Sequence, residues 1–74
     1  MESVQRRAGI SMSAGVHCTP YFLFRNFPEC EIIRVGNFEL YREDKETYPV
    51  YDTQYLISEI SRENDKTVVY MEVD

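Results

Sequence analysis

Tryptophan is absent from the 74-residue chain, and glycine, proline, cysteine and histidine are scarce: three Gly, three Pro, two Cys and one His. Three glycines leave little material for a phosphate-cradling loop, and neither that motif nor H-x-x-x-H or G-x-S-x-G occurs. Two cysteines and a single histidine cannot fill a four-ligand structural zinc site without carboxylates. No metal and no other cofactor is therefore expected. No stretch approaches the ~20 apolar residues that a membrane-spanning helix needs. No apolar run follows Arg6 and Arg7, so the first residues do not read as a signal peptide. The expected location is the cytoplasm (the host cell cytoplasm for a viral protein), where Cys18 and Cys30 would be reduced thiols.

What the chain does contain is acid and tyrosine. Eight basic residues face 13 acidic ones, a formal net charge of −5. Through Pro28 the balance is +2, from Arg6, Arg7 and Arg25 against Glu2; from Glu29 to Asp74 twelve acids against five bases leave −7. Such a field repels free nucleic acid and anionic membrane and attracts basic protein surfaces. Aromatic content is six Tyr and four Phe. The length suits one domain, and a domain so small buries only about 60% of the surface its unfolded chain exposes. Residues 1–11 show no periodicity and read as an N-terminal arm, leaving 12–74 as the domain.

Along the domain, Tyr21-Phe22-Leu23-Phe24 is a run of four large apolar or aromatic residues, and it reads as a buried strand. The competing reading takes Thr19-Pro20 as the N-cap and first position of a short helix stopped by Pro28. Glu31–Val35 and Phe38–Arg42 are strand-like and separated by Gly36-Asn37, which predicts a tight hairpin. Phe38 and Leu40 alternate with Glu39 and Tyr41, one pair toward the core and the other toward solvent. Asp52 is a plausible N-cap for a helix over 53–63, with Leu56, Ile57 and Ile60 as its apolar stripe and Glu59 and Arg62 as a weak outer pair. Asn64 suits the left-handed residue that ends such a helix. Thr67–Val73 is β-branched and predicts a final strand, placed antiparallel beside residues 30–35. The fold class is α+β: a mainly antiparallel sheet of three to four strands with one helix packed on one face.

Candidate chemistry is thin. Adjacent His17 and Cys18 point to opposite sides of an extended chain, and nothing suggests a third group to orient His17 toward Cys30. The carboxylate pairs Glu29/Glu31, Glu43/Asp44/Glu46 and Glu63/Asp65 sit near predicted turns, where water keeps both members ionised. No enzymatic activity is expected. The tyrosines carry more: Tyr41, Tyr48, Tyr51 and Tyr55 interleave with Glu43, Asp44, Glu46 and Asp52, and Glu39 lies just before them. Rings supply contact area, hydroxyls a hydrogen bond, and a partner's arginine pairs with the acids and stacks on the rings. The segment Glu39–Tyr55 is therefore the expected binding face for a basic protein surface. Carboxylates spaced along such a face imitate the phosphates of a nucleic acid.

In size and charge the chain is similar to small phage-encoded proteins that inhibit host enzymes or defence complexes, anti-CRISPR proteins among them. That similarity implies an inhibitor of a nucleic-acid-handling complex that works by steric and electrostatic occlusion, with no direct contact to nucleic acid or membrane. The alternative is a self-associating structural or accessory protein, a homodimer paired through an exposed edge of Thr67–Val73.

Overall fold

Thr19 and Pro20 begin the first long element, and they begin a helix. In the computed structural model, which describes residues 12–44 and 49–73, the Thr19 hydroxyl accepts a hydrogen bond from the Phe22 amide at 3.0 Å. Pro20 occupies the first helical turn, where its missing N–H costs nothing. Helix α1 spans Pro20–Asn26. The strand expected over Tyr21–Phe24 is thus corrected to a helix. Pro20, Leu23, Phe24 and Phe27 recur at helical spacing, and all four are buried, whereas Tyr21 between them is 45% exposed. The run looked strand-like because its outward members, Tyr21 and half-buried Phe22, are themselves aromatic.

The described residues form five strands, one before the helix and four after it: β1 (His17–Cys18), β2 (Cys30–Val35), β3 (Phe38–Tyr41), β4 (Tyr55–Glu63) and β5 (Lys66–Glu72). Two short 3-10 turns, Arg42–Asp44 and Pro49–Asp52, lie between β3 and β4. The expected hairpin is present, with Val35 opposite Phe38 across Gly36-Asn37. Gly36 has φ of 58° while Asn37 does not take a positive φ, the pattern of a type II′ turn, which needs glycine first.

The helix expected over 53–63 is instead strand β4. Its hairpin with β5 turns on Asn64 and Asp65, with φ of 53° and 65°, the two left-handed residues of a type I′ turn. A bulge explains the misleading periodicity. The register shifts between Ile57 and Glu59, so Ile57 pairs with Met71 and Ile60 with Val69. Met71 and Val69 share a face, and so Ile57 and Ile60 reach one side although they are three residues apart. The Ser58 hydroxyl holds the bulge by donating to the Tyr70 carbonyl at 3.1 Å. Glu59 and Arg62, opposite Tyr70 and Thr67, lie on different faces and do not pair as they would on a helix.

Strand order is β1-β4-β5-β2-β3. The last strand lies beside β2 as expected but parallel to it, not antiparallel. Once 53–63 is a strand, its hairpin reverses β5 and brings it alongside β2 in the same direction. The sheet is therefore five-stranded where three to four strands were expected, and mixed, with three of its four pairings antiparallel, so its mainly antiparallel character holds. The α+β class holds, with a single α-helix among the described residues. β5 is also interior to the sheet, so its edge is unavailable for pairing with a second copy. The expected arm, residues 1–11, lies outside the described residues.

Leu23 and Phe24 from α1, with Phe27 at its C-cap, join Cys30, Ile33 and Val35 from β2, and Leu40, Tyr51, Ile57, Val69 and Met71 in the core. A second register shift, between Cys30 and Ile32, lets Cys30 and Ile33 both enter it. Arg42 joins helix to sheet. Its Nε donates to the Cys30 carbonyl at 2.9 Å, Nη1 to Phe24 at 2.7 Å and Nη2 to Phe27 at 2.6 Å, with the guanidinium 5.2 Å from the Phe24 ring centroid. The Phe24 carbonyl meets proline, with no N–H, four residues on, and a planar cation with several donors serves it together with the Phe27 and Cys30 carbonyls. Arg42→Ala is expected to cost about 3 kcal/mol in urea unfolding, with the slope unchanged. Arg42→Lys should recover only a small part, because an ammonium lacks the fork that reaches three carbonyls.

Candidate partner-binding site

Edge strand β3 and the Pro49–Asp52 turn bound an open groove of about 830 Å3. Leu40 and Tyr51, both buried, form its floor, and Val50, Pro49, Thr53 and Tyr55 continue its wall. Tyr55 pairs with Cys18 on β1, the opposite edge of the sheet, so the sheet curls enough for both edges to approach one groove. Tyr51 is fixed in place: its hydroxyl donates to the Asp44 carbonyl at 3.0 Å, and its ring lies 6.4 Å from that of Phe24. The Thr53 hydroxyl, donating to the Pro49 carbonyl at 2.9 Å, closes the turn.

Phe38 stands at the rim, 59% exposed. The sequence alternation placed it with Leu40, and pairing agrees, since Val35 opposite Phe38 and Ile33 opposite Leu40 both face the core. Its expected burial does not occur. Val35, its partner in the closing pair, is buried in the core, whereas Phe38 on the outer strand has the right face but stays exposed.

Of the nine residues expected to bind a partner, Glu39, Tyr41, Asp44, Tyr51 and Tyr55 line the groove. Glu43 and Asp52 are exposed on the adjoining 3-10 turns. Glu46 and Tyr48 lie outside the described residues. None of the described lining residues is basic. Tyr51 is structural as much as it is lining, because it is only 4% exposed.

Glu39 and Tyr41 direct their side chains to the opposite, convex face, into a network that sequence reasoning did not assemble. Arg34 Nε donates to Glu39 Oε2 at 2.7 Å; Arg34 Nη1 donates to Glu63 Oε1 at 2.9 Å and to the Tyr70 hydroxyl at 2.7 Å. The Tyr41 hydroxyl donates to Glu39 Oε1 at 2.5 Å, and Tyr70 donates to the second oxygen of Glu63. Arg34 lies opposite Glu39 on one side and Tyr70 on the other, so sheet register alone brings three strands' polar residues together. That signal is absent from linear spacing. Two carboxylates share one guanidinium, which leaves one negative charge in excess within this cluster.

The hydrogen bond from Tyr41, then the pairing with Arg34, hold the Glu39 carboxyl below the usual carboxylate range. Tyr70, then Arg34, do the same for Glu63. The reciprocal bonds raise the hydroxyls of Tyr41 and Tyr70 above the ordinary phenol range. The cysteines take the opposite role: burial pushes the Cys30 thiol up to about 12 and raises that of Cys18, so both are neutral thiols at neutral pH. His17 is exposed while Cys18 is buried, as alternation requires.

Comparison with known protein families, curated proteins and solved structures finds no match to this chain. Among the described residues no helix is long and apolar enough to cross a membrane.

The convex network sets a pH dependence. The depressed carboxylates stabilise the fold above the ordinary carboxylate value of about 4.3, and that contribution disappears as pH falls through their lowered values. The raised tyrosines contribute below the ordinary value of about 10, and that is lost as pH rises through their raised values. NMR titration should show Glu63 returning toward the ordinary range in Tyr70→Phe, and Glu39 doing so in Tyr41→Phe. Arg34→Gln should shift both. Unchanged titration in all three would show that the network does not persist in solution.

Proposed function

We propose that this protein is a binding module that docks its acidic, tyrosine-bearing groove on a basic surface of another protein and acts by occluding that surface. The observation that carries the reading is the groove itself: an open cleft with an exposed phenylalanine at its rim, Tyr51, Tyr55 and Asp44 along it, exposed Glu43 and Asp52 on the adjoining turns, and no basic residue among the described lining. An exposed ring next to a cleft supplies the desolvated centre of an interface, and the surrounding acids supply steering and register. The acid-rich stretch after Pro28, net −7, favours a partner whose surface is basic because it handles nucleic acid. On this reading Glu43, Asp44 and Asp52 stand where a nucleic-acid phosphate would, and the protein is an inhibitor of the anti-CRISPR-like kind.

A second reading, self-association, retains one supporting observation. β3 pairs only with β2 among the described residues, and its other edge is open. A homodimer would use that edge and not Thr67–Val73.

The test is complex formation with the partner retained from lysate at low salt. The variant Glu43→Lys/Asp44→Lys/Asp52→Lys reverses exposed charges and should leave folding intact. Binding is expected to weaken by about tenfold or more, mostly through the on-rate, and wild-type association should slow as salt rises. Equal binding by the variant would remove this face from the interface.

A further inference from the structure

We propose that the outer edge of β3, which is unpaired among the described residues, receives an extended basic segment of the partner as an added strand, with alternate residues of that segment entering the groove. The inference rests on the docking reading above and specifies its geometry. A two-residue hairpin loop closes on a hydrogen-bonded pair, here Val35 and Phe38. The ladder then alternates, so Ile33 and Leu40 form the next hydrogen-bonded pair, while Glu39 and Tyr41 direct their backbone N–H and C=O groups outward. This explains how Glu39 and Tyr41 line the groove although their side chains occupy the other face. Two residues of outward donors and acceptors sit beside an apolar cleft, the arrangement that strand addition requires.

The two faces fix the occupant's chemistry. On the concave side the incoming residues meet Phe38, Leu40 and Val50, which favour aliphatic side chains. On the convex side they lie beside Glu39 in a cluster with one carboxylate more than its cations, and they run toward exposed Glu43 and Asp44. Lysine or arginine suits those positions. The partner segment therefore alternates aliphatic and basic residues. An acidic segment would place like charges on both Glu39 and Glu43, and a second copy of the β3 edge would do the same.

The probe is an acetylated, amidated peptide of alternating valine and lysine, with hydrogen exchange and fluorescence anisotropy as readouts. Binding is expected, with the Glu39 and Tyr41 amides becoming protected. N-methylation of the peptide amides that face β3 should weaken binding roughly tenfold or more without altering charge. Phe38→Ala, at an exposed position, should weaken it severalfold. Tyr41→Pro removes one outward donor on an edge strand, where proline is tolerated, and should act like N-methylation. No binding, equal binding of the N-methylated peptide, or equal binding of a valine–glutamate peptide would overturn the proposal. So would peptide-free protection of the same amides in a concentration-dependent dimer, because the occupant would then be a second copy. If the charge-reversed protein loses its partner while Tyr41→Pro and Phe38→Ala keep it, docking stands and strand addition falls.

Discussion

Three carbonyl groups at the end of α1 and the start of β2 depend on one side chain. Arg42 belongs to neither element; it follows β3, and its guanidinium reaches back to Phe24, Phe27 and Cys30. Removing it would take from the Phe24 carbonyl the donor that Pro28, four residues on, cannot supply, a larger penalty than the worth of any one bond. It also fixes where the chain goes after β3. With Arg42 anchored under the helix, the Arg42–Asp44 turn must leave the sheet at that point, and Asp44 then presents its carbonyl to the Tyr51 hydroxyl. The groove lies between these two anchored positions. A tether made for the helix thus shapes the wall of the groove.

The parts of the fold legible in the sequence are those with local causes. Gly36-Asn37 between two alternating runs specifies a hairpin because glycine must come first in that turn, and the hairpin is there. Thr67–Val73 has too many β-branched residues to be anything but strand. The two exchanged elements failed for opposite reasons. Residues 21–24 hide a helical face at 20, 23, 24 and 27 behind aromatic neighbours that stay outside. Residues 55–63 imitate a helical stripe because a bulge inserts one residue between Ile57 and Ile60. The bulge is a property of the pairing with β5, so nothing within the segment announces it. Asn64-Asp65 carried the missing information: two adjacent residues tolerant of the left-handed region signal a hairpin more strongly than a helix end.

The binding face was legible as a composition but not as a surface. Nine residues from Glu39 to Tyr55 were read as one set, and the sheet divides the described ones between two environments. Glu39 spends its side chain on Arg34 and Tyr41 on Glu39, while Arg34 also holds partners from β4 and β5 some thirty positions away. Glu43, Asp44 and Asp52 remain on exposed turns. These are the charges free to meet a partner, because a carboxylate already accepting from a guanidinium and a phenol gains less from a second cation. Tyr55 reaches the groove from the far edge of the sheet, which only the curl allows.

Phe38 shows how far alternation can be trusted. Period-two patterning determines which side of a sheet a residue occupies; it says nothing of whether that side is covered. α1 is seven residues long and ends at Asn26, held there by Pro28 and Arg42. Across the hairpin Val35 is buried, while Phe38 on the outer strand is exposed. Among the described residues β3 pairs only with β2, so this exposed ring stands on an edge, a combination that small proteins ordinarily avoid because it invites pairing with other chains. Its survival in a fold with little stability to spare is explained if another chain regularly occupies that edge, and the acids around it restrict which chain can do so.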